Sequence, residues 1–296
     1  MESNNNFRDV LKTEILKKRP NLSPSSVKTY VSILFNINKK MNPENTNMSF
    51  FDNHDDILKL LENKPPQSRK TSLSSLFVLT DNPEYSKQML DDCKTTNDYY
   101  KEQKKSQKEE DNWITTEDIK KLYDELFVNA SAMLNNKLAL NYQTIVQYML
   151  LACLGGVVGI APRRSLDYTE LKLKNYSKND NYYKGGKFYF NIYKTSKHYG
   201  EQVIDVKEKA PEFYKLLQKW SRINPTDYLL FSSNQEKFTS PQVTKMFNKL
   251  FGKNASTNLL RHTYLTSKYG KLQEEMANDA REMSHNSNTQ SLYIKK

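Results

Sequence analysis

The sequence predicts an α+β protein, mostly α, in which a helical N-terminal domain precedes a second, mostly helical domain with one small antiparallel sheet. Three observations predict it. Apolar residues recur at three- and four-residue spacing in the first hundred positions, the mark of amphipathic helices. An almost wholly polar stretch, 99–113, carries charges of both signs and no glycine. One run of aromatic and β-branched residues, 185–206, then interrupts patterns that are otherwise helical. With 296 residues and 37% hydrophobic content, the chain can bury a real core in one large or two ordinary domains.

In chain order, "NLSPSSVKTYVSILFNINKKM" (21–41) offers Ser23 as a cap and Pro24 at the first helical position, with Val27, Tyr30, Val31, Leu34 and Phe35 on one apolar face. A second such stretch, 68–80, follows a Pro-Pro break. The polar segment 99–113 reads as an exposed helix end or a tether, and the domain boundary is placed there: 1–105, a linker at 106–112, and 113–296. Thr115 or Thr116, followed by acidic residues, opens the next helix with a capping-box pattern. The segment 145–162 is uncharged, but Gln147 and the glycines 155, 156 and 159 interrupt it, so it reads as a buried helix ending in a glycine-rich turn and not as a membrane span. The aromatic run with its polar turn at Gly200 predicts a two- or three-stranded antiparallel ribbon, and helices resume from Pro211.

Charge narrows the partners. Lys and Arg total 45 against 34 acidic residues, a net +11, which favours a polyanion: nucleic acid first, an anionic membrane surface second. Cys93 and Cys153 have neither CxxC spacing nor the density of a secreted scaffold, which fits a reducing, intracellular compartment. The N-terminus lacks the basic and apolar blocks of a secretory signal.

Arginine is scarce, eight of the 45 basic residues, so arginines at structured, partly apolar positions suggest bidentate recognition of an oxyanion. In "PRRSLDYTELKL" (162–173), Pro162 suits a first helical turn and Arg164 lies three residues before Asp167, whose carboxylate can hold the guanidinium; Arg163 competes for the same role. In "NLLRHTYLTSKYG" (258–270), Ser256 or Thr257 can cap and Gly270 can terminate a helix on which Asn258, Arg261 and His262 share a face while Leu259, Leu260 and Leu265 can be buried. Two guanidinium forks can neutralise the non-bridging oxygens of a phosphodiester, a ribbon lysine can protonate the leaving oxygen, and a tyrosine can attack phosphorus. A phenol has a pKa of about 10, so cationic neighbours and a histidine such as His285 would assist its ionisation.

These residues resemble the tyrosine recombinases, or phage-type integrases, whose relatives include the type IB topoisomerases. The resemblance runs from about Trp113 to Tyr293 and, more weakly, over the N-terminal helices, which are similar to that family's core-binding domain. The family's first box matches Arg164, Asp167 and Leu171, and its ribbon lysine matches Lys194 in "YKTSK", with Lys197 as the second choice. Its Leu-Arg-His segment matches Leu260, Arg261 and His262, and its later histidine and nucleophilic tyrosine match His285 and Tyr293, eight residues apart. Two departures stand out: Asn258 occupies a place where the family usually has histidine, and only three residues follow Tyr293 where the family commonly continues a helix that docks on a neighbouring subunit. Asparagine can bond a phosphate oxygen but cannot shuttle a proton at neutral pH.

The resemblance implies a catalytic site of Arg164, Lys194, Asn258, Arg261, His285 and Tyr293, supported by Asp167 and His262, that breaks and rejoins DNA strands through a 3′-phosphotyrosyl link. It also implies double-stranded DNA as partner, a homo-oligomer on that DNA, no cofactor, no metal and no membrane. A topoisomerase-like nicking-closing enzyme and a catalytically decayed DNA-binding protein of the same fold are the alternatives. Each residue alone has a plainer reading: Tyr293 is one of 19 tyrosines, and an Arg-His pair is usually a solvated helix face. The richness in Lys, Asn and Tyr suits an AT-rich coding genome such as that of a mobile element or virus.

Overall fold

The computed structural model describes residues 2–41 and 47–294, and the chain divides into two compact units, 1–105 and 106–296. The described residues of the first unit form helices and the turns between them. They comprise α1 (Glu2–Lys18), α2 (Pro24–Met41), a single 3₁₀ turn at Met48–Asp52, α3 (His54–Leu61), α4 (Pro66–Thr80) and α5 (Pro83–Lys101). Ser23 caps α2 by accepting the Ser26 N–H at 3.1 Å, ahead of Pro24 at the first helical position. Val27, Val31, Leu34 and Phe35 turn inward with Leu11, Ile15, Leu73, Leu76 and Tyr85, while Tyr30 stays at the edge and meets the Ser74 hydroxyl at 2.9 Å. Arg69 on α4 grips the buried Asp92 on α5 with two parallel bonds of 2.9 and 2.7 Å.

The second unit wraps helices around a small sheet. Its elements are α6 (Gln107–Asn112), α7 (Thr116–Leu134), α8 (Tyr142–Leu154), α9 (Ser165–Thr169), β1 (Leu171–Lys172), β2 (Asn181–Lys184), β3 (Lys187–Phe190), α10 (Ser196–Tyr199), β4 (Gln202–Asp205), α11 (Val206–Lys209), α12 (Pro211–Ile223), α13 (Ser240–Phe251), α14 (Thr257–Glu282) and α15 (Ser287–Tyr293). Residues 107–112, read from sequence as linker, form α6 with a capping box between Ser106 and Glu109. Thr115, not Thr116, caps α7. The uncharged segment becomes α8, whose residues from Tyr148 to Leu154 are all buried in the core. Among the described residues no helix is long and apolar enough to cross a membrane.

The expected three-stranded antiparallel ribbon is present as β2-β3-β4, and β1 extends it into a mixed sheet. The sheet has four strands in the order β1-β2-β3-β4; β1 runs parallel to β2, and the other pairs are antiparallel. Its hairpin turn is Gly185–Gly186, both at positive φ, so the ribbon starts earlier than the aromatic run suggested. Phe188 and Phe190 face the core, and Tyr182 stacks on Tyr189 across the strands on the opposite face.

A second correction concerns α14. It runs unbroken through Gly270 and ends at Glu282, with Met283 as its cap followed by Ser284 at φ 57°. A single glycine costs a helix only about 1 kcal/mol relative to alanine, and the run of helix formers that follows it, Lys271 to Ala277, outweighs that cost. Leu265, expected inside, is 50% exposed, because only the start of this helix lies on the core.

Candidate functional site

The turn after α8 brings the chain to Pro162. Gly156 and Gly159 sit at φ 74° and 84°, and a methyl group on them would lie 2.5 Å from the Tyr264 ring and 2.6 Å from the Lys209 carbonyl oxygen. Glycine alone permits both the backbone angle and the approach. Opposite, Ser256 caps α14 by accepting the Leu259 N–H at 3.1 Å, Leu259 and Leu260 anchor its first turn in the core, and the Thr263 hydroxyl donates to the Ile114 carbonyl at 2.8 Å. Arg261 is thereby presented from a rigid element.

The two segments meet the ribbon around an open cavity of about 330 Å³. Pro162, Arg163, Arg164 and Asp167 line it from the turn, Tyr193, Thr195, Tyr199 and Gln202 from the β3–β4 connection and β4, and Arg261 from α14. Asp167 is 2% exposed. Its Oδ2 accepts from Arg163 Nε at 2.8 Å, and its Oδ1 is buried without a described hydrogen-bond partner. Burial pushes the carboxyl above its ordinary range, against the opposing pull of Arg163, Arg164 and Arg261.

This overturns one expectation: Asp167 holds Arg163, not Arg164. The helix begins at Ser165, and Arg164 precedes it in an extended conformation (φ −74°, ψ 151°), so the i, i+3 geometry assumed from a helix starting at Pro162 does not apply. Arg164 is exposed and pairs with no described residue. Asp167 therefore leaves the Arg164 guanidinium available to an anion.

The remaining candidates fall into two groups. Asn258, exposed one turn before Arg261, accepts a long contact of 3.5 Å from its guanidinium. Lys194 is exposed between Tyr193 and Thr195, which both line the cavity, and Lys197 is exposed on α10. His262 meets the Glu109 carboxylate at 3.6 Å. His285 and Tyr293 are elsewhere. About 30 Å of helix axis, at about 1.5 Å per residue, separates Arg261 from the end of α14. Beyond that end, the His285 N–H bonds back to the Ala280 carbonyl at 2.9 Å, and the His285 and Tyr293 rings stack 5.6 Å apart. Tyr293 is 68% exposed, and Nε2 of His285 is buried with no described partner. The structure thus gathers Arg164, Asp167, Arg261 and Asn258, with Lys194 beside them, and leaves His285 and Tyr293 far along the helix.

Sequence reasoning set Arg163 aside and passed over Tyr193, Thr195, Tyr199 and Gln202. The only local signal for Tyr193 and Thr195 was that they flank Lys194 in "YKTSK". Chemically, two guanidinium groups without carboxylate partners on one open cavity suit a phosphodiester oxyanion.

No family model matches the chain, and no curated protein matches it. Solved structures similar to it include a XerA recombinase, with 14% identity over 89% of this chain and 83% of that one, at a TM-score of 0.34. A lambda integrase dimer bound to a COC′ core site has 14% identity over 92% of this chain and 71% of that one, at 0.47. A XerH site-specific recombinase bound to its difH substrate in a pre-cleavage complex has 12% identity over 98% and 90%, at 0.37.

Proposed function

We propose that the chain is a tyrosine recombinase that cleaves and rejoins duplex DNA through a 3′-phosphotyrosyl intermediate. The observation that carries this reading is the cavity in which Arg164 and Arg261, neither paired with a carboxylate, converge from separate elements beside the lysine-bearing connection. In the reaction, the Tyr293 oxygen attacks phosphorus and the bond to the 5′ oxygen breaks. Lys194 gives its proton to that oxygen, and the phenol's proton leaves to water, aided by the His285 nitrogen, which has no partner among the described residues. Arg164 and Arg261 carry the charge that builds on the phosphoryl oxygens, with Asn258 and His285 adding hydrogen bonds. The covalent link conserves the energy of the phosphodiester, so rejoining reverses the same steps.

Unit 1–105 would serve as a second DNA-holding body, and the net charge of +11 would supply salt-dependent affinity through counterion release. The distance to Tyr293 requires that the tail fold toward the cavity or come from a second copy on the same DNA. The test uses a pool of nicked random-sequence duplexes and denaturing gels. The wild type is expected to form a protein–DNA adduct, whereas Tyr293→Phe retains duplexes in a gel shift and loses the adduct by roughly 10³-fold or more. An undiminished adduct from Tyr293→Phe overturns the assignment.

A second reading, a DNA-binding protein of the same fold that no longer cleaves, is favoured by the separation of Tyr293 from the arginines and by Asn258. It predicts retained duplexes and no adduct from the wild type itself.

A further inference from the structure

We propose that Arg163 is a positioning residue that aims Lys194 at the leaving oxygen; this rests on the reading of Lys194 as the proton donor. The Arg163 side chain is 20% exposed, and its charge is matched by Asp167 at 2.8 Å. Its guanidinium carbon lies 4.2 Å from the centre of the Phe190 ring and 5.0 Å from that of Tyr193. Phe190 ends β3, and Tyr193 directly precedes Lys194. The Tyr193 hydroxyl in turn donates to the Gly200 carbonyl at 2.6 Å, closing the loop that holds both Lys194 and Lys197. One planar cation therefore touches the turn carrying Arg164 and the base of the loop carrying the lysine.

A second tie runs through the same aspartate. Asn181 is fully buried, and its Nδ2 donates to the Asp167 carbonyl at 2.9 Å and the Ile192 carbonyl at 2.8 Å. Its Oδ1 accepts from the Asn191 and Ile192 N–H groups at 2.7 and 2.6 Å. An asparagine amide has two donors and one two-lone-pair acceptor, and all are used here. Carbonyl and carboxylate of Asp167 thus both lead to the strand end just before Lys194. A lysine has four rotatable bonds and a point charge, so only its backbone can be fixed in advance. Arginine suits this position because it donates in its plane while presenting its faces to aromatic rings. Its charge is already neutralised, so it adds little attraction for phosphate; that task falls to the unpaired Arg164.

Leaving-group chemistry separates this role from a phosphate contact. A duplex that forms the wild-type adduct is remade with sulfur in place of the 5′ bridging oxygen at the scissile link. A thiol has a pKa of about 8.5, so it departs as thiolate without a proton. A proton donor is worth roughly 10²–10⁴ in rate. Arg163→Gln is expected to slow cleavage of the oxygen duplex about a hundredfold and to return to within about threefold of wild type on the sulfur duplex, as Lys194→Ala does. Arg164→Ala stays slow on both. Because the two rates are compared within each variant, a loss of folded protein cancels. Should Arg163→Gln not fold, Tyr193→Leu removes the ring and keeps the Arg163–Asp167 pair, and the same selective rescue is expected. If Lys194→Ala is rescued and neither Arg163→Gln nor Tyr193→Leu is, this proposal falls while the recombinase reading stands. If Lys194→Ala is not rescued, both the lysine assignment and this proposal fall, and the Tyr293→Phe adduct test still judges the wider reading.

Discussion

The arginine cavity and the C-terminal tail carry the two halves of the proposed reaction, and they are held by opposite means. Around Asp167, ion pair, ring contacts and a saturated buried asparagine tie the pre-α9 turn to the end of β3. Along α14, no residue from Tyr264 to Asp279 is buried, and Leu265, Tyr269 and Leu272 are among the exposed apolar side chains there. The backbone that carries the proposed phosphate ligands is thus fixed in advance, which favours electrostatic stabilisation, while the Arg164 side chain itself is exposed and has no partner among the described residues. The nucleophile's half is positioned by one helix and a short return. In the proposed reaction, delivery of the phenol is therefore the step the fold leaves open, whereas the cavity exists before DNA arrives.

The sharpest way to break that comparison is at the cavity itself. Removing a preorganised charge donor typically costs about 2.7–4 kcal/mol, or roughly 10²–10³ in rate. Arg164→Ala and Arg261→Ala should each lower single-turnover adduct formation by that much while leaving the melting temperature nearly unchanged, since neither guanidinium is paired with a carboxylate. A variant that loses stability instead of rate would place the residue in the scaffold and not at the phosphate.

Two glycines sharpen it next, because one belongs to each region. Gly156→Ala must hold φ 74° and push its methyl to 2.5 Å from the Tyr264 ring, so a loss of about 1–3 kcal/mol is expected in thermal denaturation. Gly270→Ala meets nothing closer than Thr266 at 3.6 Å in a helical backbone and should stabilise α14 by about 0.5–1 kcal/mol. If the tail reaches the cavity by bending at Gly270, the same variant forms less adduct despite its higher melting temperature. Unchanged adduct yield would show that delivery needs no bend there.

Much of this was legible in sequence where the cause is local. Ser23 with Pro24, Thr115 and Ser256 announce helix starts because a cap is a contact within a few residues. The scarcity of arginine singled out Arg164 and Arg261, and both line one cavity. The partner of Asp167 was not legible, since it depends on whether the helix begins at Pro162 or at Ser165, a shift that sequence pattern does not resolve. Gly270 misled because glycine serves equally as a stop and as a tolerated interior residue, and the choice lies in flanks that read weakly one at a time. The separation of Tyr293 from the arginines is a property of an unbroken helix far longer than any motif spacing records.

The smallest expected effect tests whether the scaffolding aspartate is held mainly by burial or by its cations. Burial is the largest influence on Asp167 and raises its pKa above the ordinary 3.8, while Arg163, Arg164 and Arg261 pull it down less. Tyr168, the other titratable neighbour, is itself fully buried and pushed well above a phenol's usual range, so it stays neutral at these pH values. A carboxyl with a raised folded-state pKa binds its proton more tightly folded than unfolded. Its contribution to stability is therefore complete below the unfolded value and declines as pH rises through the folded one. Asp167→Asn cannot titrate, so the melting-temperature difference, wild type minus variant, should be greatest at the acid end and shrink from about pH 4 upward before levelling. A difference that grows with pH would mean that the three guanidinium groups outweigh burial. The cavity would then hold a firmly ionised aspartate, and Arg164 and Arg261 would spend part of their charge on it before any phosphate arrives.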